Sequence, residues 1–136
     1  MHSQMVLSVA DARRIADACR VKASEQGWKV VVAIVDEGAH LMYLERMDGT
    51  QKASSVVAVE KAKTALLFKR PTQAIEAAVL GGRPVMMMLP GATPIEGGLP
   101  LVRDGQFLGA IGISGVHSSE DGIIAAAGVA CFDAIE

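Results

Sequence analysis

Lys61 is the residue in this chain best placed to do chemistry, because it falls on the oily side of a helix. Between about Gln51 and Lys69 the residues Ala53, Val57, Thr64 and Phe68 recur at helical spacing, and Lys61 lies within that stripe. A lysine there either snorkels or pairs with an acid, for which Asp36, Asp48 and Glu60 are the candidates, or it faces a cavity and awaits a carboxylate, phosphate or propionate. Desolvated in such a stripe it would titrate lower than usual and serve as an acid, a base or a Schiff-base former. Thr64, one turn on, would share that cavity. Arg46, beside Asp48 at the end of a hairpin, and Arg70, at the end of the long helix, offer bidentate donors to an anion. Each is equally readable as half of a surface ion pair worth roughly 0–1 kcal/mol. Gly97-Gly98 and Ser114-Gly115 permit close backbone approach to a ligand, the second pair just ahead of a helix N-terminus.

Other chemistries lack their residues. Ser114, Ser118 and Ser119 have no nucleophile elbow around them, and His117 beside Ser118 is not a dyad, since sequence neighbours seldom point at one another. No zinc-protease, CxxC or phosphate-loop motif occurs, so no metal site is expected. Cys19 and Cys131 sit in Ala-rich helical patterns and read as two reduced, structural thiols.

With 136 residues the chain is expected to form one domain spanning 1–136. Its hydrophobic fraction of 51% rests on one Trp, one Tyr and three Phe, so the core must be built from aliphatics and much Ala. Surplus apolar surface of that kind points to a homo-oligomer. A net charge of −2 with 13 scattered basic residues argues against nucleic acid. The apolar runs Val30–Val35 and Val85–Leu89 fall far short of the ~20 residues a membrane helix needs. Met1–Val6 lacks a signal-peptide layout, and a cytoplasmic protein is the simplest expectation.

The elements that must position these residues follow from periodicity. Ser8, with Asp11 three residues on, starts an amphipathic helix (Val9, Ala12, Ala16, Cys19, Ala23) that Gly27 ends. Val30–Val35 is a strand buried on both faces, and a tight turn using Gly38 leads into a second strand, Ala39–Glu45. The long helix stops before Arg70-Pro71, and Thr72 caps a shorter one, Gln73–Leu80, closed by Gly81-Gly82. Val85–Leu89 fits a strand or a short helical piece. Pro90–Pro100 reads as a loop without regular structure. Leu101–Arg103 and Gln106–Ser114 form a second hairpin around Asp104-Gly105, and Ser118 or Ser119 caps a last helix through Ile135. The expectation is an α/β (α+β) sandwich: a central antiparallel sheet of four to six strands made of two hairpins, flanked by helices, with the Val30 and Leu108 strands innermost.

Four stretches together resemble the GlcG/HbpS family of haem-binding-like proteins, which is related to the C-terminal domain of the PduO cobalamin adenosyltransferase. They are Val32–Asp36 with His40-Leu41 and Glu45–Gly49; Lys61–Ala65 through Phe68 to Arg70-Pro71-Thr72; Gly97–Pro100; and Gly109–Gly115 with Asp121 and Ala127-Gly128. The resemblance implies a profilin-like layered fold, assembly from dimers to octamers, and haem or corrinoid as ligand. A haem would need His, Met, Cys or Tyr as an axial ligand. His40, inside a family-like stretch, is the candidate, ahead of His2, His117 and Met86–Met88.

The reading that results is an oligomeric small-molecule or cofactor-binding protein. It would hold its ligand between Lys61 and Thr64, Arg46 and Asp48, and the Gly97-Gly98 loop, with Arg70, Ser114 and Gly115 nearby. The alternatives are a cofactor-free isomerase, tautomerase or lyase using Lys61, and an assembly module with no ligand.

Overall fold

The computed structural model of the chain describes residues 1–136. Its elements run α1 (Val9–Glu25), β1 (Val31–Asp36), β2 (Leu41–Arg46), α2 (Ser54–Leu67), α3 (Thr72–Leu80), a 3₁₀ helix (Pro84–Met88), β3 (Gly98–Arg103), β4 (Gln106–Ser114) and α4 (Ser118–Ala134). The four strands form one antiparallel sheet in the order β2-β1-β4-β3. The two expected hairpins thus meet through their inner strands, which are the Val30 and Leu108 strands.

Alternation along β1 assigns the two faces. Val30, Val32 and Ile34 point into a core shared with Ile15 and Cys19 of α1 and Ile124, Ala125 and Phe132 of α4. Val31, Ala33 and Val35 point the other way, onto Ala58, Ala62, Ala65 and Leu66 of α2. The result is a layer of α1 and α4, a sheet, and a layer of α2. A strand walled on both sides reads as an unbroken apolar run, and each buried Val or Ile contributes roughly 1.5–3 kcal/mol.

Small residues set how closely the layers approach. A Cβ on Gly112 of β4 would overlap the carbonyl of Ala58 and stand 2.7 Å from the amide of Ala62, so α2 lies with its backbone directly on the sheet. This corrects the expected stripe. The buried face of α2 is Ser54, Ala58, Lys61, Ala62, Thr64, Ala65 and Leu66, whereas Ala53 is exposed and Phe68 only half-buried. Size rather than hydropathy decides which side of this helix turns inward.

Several ends differ from expectation. The first hairpin carries its positive φ at Ala39 (68°), not at Gly38. The turn is held by Asp36, whose Oδ1 accepts from the amides of Gly38 and His40. Burial alone would raise the Asp36 carboxyl, but those two N–H groups and the His40 ring outweigh it and hold it below its ordinary 3.8. Thr72 does not cap α3; Pro71 occupies that position, and the Thr72 hydroxyl accepts from the Gly98 amide at 2.9 Å. His117, rather than either serine, caps α4, in a reciprocal arrangement with Glu120. Val85–Met88 belongs to the 3₁₀ helix, which Leu89 ends, and β3 begins at Gly98, inside the stretch expected to be loop. Gly98 and Pro100 are tolerated because β3 lies at the sheet edge.

Candidate functional site

Lys61 is enclosed. Its side chain is 2% exposed, and its ammonium donates to Asp121 Oδ2 at 2.9 Å and to the carbonyl of Ile113 at 3.0 Å. Asp121, in the first turn of α4, is equally buried and accepts from the Val116 amide through its other oxygen. The expected partners Asp36, Asp48 and Glu60 are therefore corrected to an acid 60 residues away. Burial pushes the Asp121 carboxyl up, against the pull of the Lys61 ammonium and the Val116 N–H. The pair ties α2 to the end of the inner strand β4 and to α4.

Gly97 covers this pair. With φ at 131° it lies so close that a Cβ would stand 2.9 Å from the Lys61 Nζ and 2.7 Å from the Ile113 carbonyl. Its own carbonyl accepts from the Ile113 amide at 2.9 Å. A Cβ on Gly98 would run into the Lys61 carbonyl. The strap leading to them is tied from two helices. The Thr64 hydroxyl donates to the Glu60 carbonyl at 2.7 Å and accepts from the Thr93 amide at 2.9 Å, and Glu76 of α3 accepts from the Glu96 amide at 3.2 Å. Lys61, Thr64, Gly97 and Gly98 thus come together as expected, but around an ion pair rather than an open cavity. Ser114 is also buried, its hydroxyl donating to Ser54 Oγ at 3.0 Å. Gly115 approaches the Lys29 carbonyl.

The remaining residues lie apart. Arg46 and Asp48 are exposed and line a groove of about 490 Å³ with Arg20, Ser24, Lys29, Glu45 and Met47. Arg20 is engaged by Asp17 at 2.6 Å, but Arg46 and Lys29 have no acidic partner within 4.0 Å. Lys29 was not singled out from the sequence; its ammonium reaches over Gly49, where a Cβ would meet it at 2.9 Å. Arg70 is exposed and donates only to the Phe68 carbonyl. His40 is 81% exposed, its Nδ1 lying 3.3 Å from Asp36 Oδ1 at the β1–β2 turn. That turn and the Arg46 groove are at opposite ends of the β1–β2 hairpin. No helix is long and apolar enough to cross a membrane.

Fold and site together define an α-β-α layered protein with a sealed lysine–aspartate clamp inside and accessible cations at the rim. Residues 7–130 match the family described as haem degrading protein HbpS-like. The chain belongs to this HbpS-like family, as the four family-like stretches implied. It is 39% identical over 114 residues to protein GlcG of Escherichia coli K12, covering 84% of this chain and 85% of that one. Among solved structures it is similar to Klebsiella pneumoniae protein ORFY, with 31% identity, a TM-score of 0.89, and coverage of 100% and 98% of the two chains. It is also similar to PduOC in a haem complex, with 30% identity, a TM-score of 0.85, and coverage of 93% and 95%.

Proposed function

We propose that this chain is an oligomeric binding protein for a small molecule that carries carboxylates, of the haem or corrinoid class, taken up at the groove of Arg46, Asp48 and Lys29. The supporting observation is that two cations in this groove are exposed and free of acidic partners, in a chain similar over nearly its whole length to a protein crystallised with haem. In this reading Lys61, Thr64, Gly97, Gly98, Ser114 and Gly115 are the frame that holds the rim in shape. Arg70 and His40 lie outside it.

The groove suits the periphery of a tetrapyrrole better than its metal. Arg46 presents a planar donor fork to a carboxylate and Lys29 a point charge, while Met47 supplies apolar contact. None of the three histidines lines it, so an axial imidazole is not on offer there. A bound haem would bring its own iron chemistry; the residues present hold its acidic edge. Schiff-base or acid–base work at Lys61 draws no support from the geometry, because the ammonium is shut in by Asp121, Ile113 and Gly97.

The single tryptophan, Trp28, adjoins Lys29 and makes the test direct. Titration with haem should quench its fluorescence saturably. Replacing both Arg46 and Lys29 by Ala should weaken binding at least about tenfold, equivalent to 1.4 kcal/mol, and His40→Ala should leave the Soret band unchanged. Equal binding by the double variant, or no saturable quenching by haem, would overturn the placement.

The oligomer is supported by the arm formed by α3 and the 3₁₀ helix. Only Thr72 and Ile75 of α3 are buried and none of the 3₁₀ helix, while Leu80, Val85, Met87 and Met88 are exposed, Met88 by 79%. An apolar group of this kind on a short arm fits a subunit contact. Sizing at micromolar concentration should show more than one chain, and L80E with M88E should shift the population towards the monomer. A monomeric wild type would defeat the expectation.

A further inference from the structure

The two cysteines are left unused by the ligand reading, and they lie on facing sides of α1 and α4. Cys19 is fully buried, its sulfur set in the notch left by Gly128 of α4, 2.5 Å from where a Cβ would stand. Cys131 is half-buried, with its sulfur 3.7 Å from the Arg14 carbonyl of α1. Gly128 and Cys131 are three residues apart on one helix and so share a face, with Cβ positions roughly 5–6 Å apart. Because Gly128 has no side chain, α1 and α4 approach closely at this point, and both sulfurs face the same interhelix seam.

Their surroundings are unequal. Burial, and then the charge of Cys131, push the Cys19 thiol up to about 12, so it stays protonated at neutral pH. Cys131 opens onto a groove of about 510 Å³ whose charged lining is Arg14, Asp17, Lys22 and Glu25, so a peroxide can reach its sulfur from solvent. One thiol is reachable and the other waits behind it, which is the layout of an attacking and a resolving cysteine.

We propose that Cys131 and Cys19 form a redox modification site for hydrogen peroxide, in which Cys131 is oxidised first and Cys19 resolves it as an intramolecular disulfide. The Cys131 thiolate attacks the peroxide oxygen; the O–O bond breaks, and with one proton taken up the products are Cys131 sulfenic acid and water. The Cys19 sulfur then attacks the sulfenic sulfur, the S–O bond breaks, and the Cys19 proton leaves with the hydroxyl as a second water. Two thiols have lost two electrons in all, and the peroxide has gained them. The bond joins the first and last helices and fixes the outer layer to itself.

The experiment uses the reduced full-length protein treated with hydrogen peroxide, alkylated after unfolding and analysed by mass spectrometry without reductant. The expected product is a cross-linked peptide pair containing Cys19 and Cys131, lighter by two mass units and reversed by a dithiol. The melting temperature should rise by at least about 5 °C, since the bridge closes a loop of most of the chain. C131S should leave Cys19 unoxidised at the same dose, and C19S should leave a sulfenic acid on Cys131 that dimedone traps. The proposal is overturned if Cys131 is oxidised in the wild type while Cys19 remains free for alkylation, if both thiols survive, or if the bridge forms only between chains.

Discussion

Asp121→Ala is expected to remove about 3–5 kcal/mol of folding stability in a urea titration, the cost of leaving one member of a buried ion pair alone. With Asp121 gone, the Lys61 ammonium would keep only the Ile113 carbonyl in a space that Gly97 closes to water. Against a total of about 5–15 kcal/mol for an ordinary domain, that loss leaves little. The pair itself is another matter. Burial raises the Asp121 carboxyl despite a lysine at 2.9 Å, so for this carboxylate desolvation outweighs what the Lys61 ammonium and the Val116 amide return. Replacing both members by apolar residues, Lys61→Met with Asp121→Leu, should therefore return stability to within about 1 kcal/mol of the wild type or above it. The sign with pH is consistent with this. A folded carboxyl that titrates above its unfolded value favours the fold once protonated, and that contribution fades as pH rises through the folded value. A loss below about 1 kcal/mol for Asp121→Ala would mean that water reaches the site.

Gly112→Ala should be comparably damaging, costing at least about 3 kcal/mol, because the added methyl meets backbone on α2 rather than a side chain that can swing away. Gly105→Ala is the control. A Cβ at Gly105 meets nothing within 4 Å, and only its φ of 75° opposes the change, a penalty of roughly 1–2 kcal/mol. Thermal melts of the two variants separate a blocked layer contact from a strained turn. Equal losses would show that α2 can shift outward and that its seat on the sheet is not tight.

What could be read from sequence was what depends on neighbours along the chain. The unbroken run Val30–Val35 announced a strand walled on both sides, Asp104-Gly105 announced its hairpin, and Ser8 the start of α1. Lys61 stood out because a charge interrupts an apolar pattern, and Gly97 because it permits close approach. Its partner could not be read, since Asp121 is 60 residues distant and looks like any acid in the first turn of a helix. The inward side of α2 was misjudged for a related reason. Ala58 and Ala62 are inside because Gly112 opposes them, and no periodicity within α2 carries that information. His117 as a cap was missed because imidazole rarely takes that role. The open cations, Arg46 and Lys29, are on different segments, and only folding puts them on one groove.

The pairing of β1 with β4 bears on how the chain is made. Ala33 finds Gly112 opposite it only when nearly the whole sequence has been produced. At about 5–20 residues per second on a ribosome, the valine-rich segment spends on the order of several seconds with one edge unpaired. During that interval β2 pairs its other edge while α1 and α2 alone can cover its faces, so the nascent polypeptide should be most prone to self-association before its last third emerges.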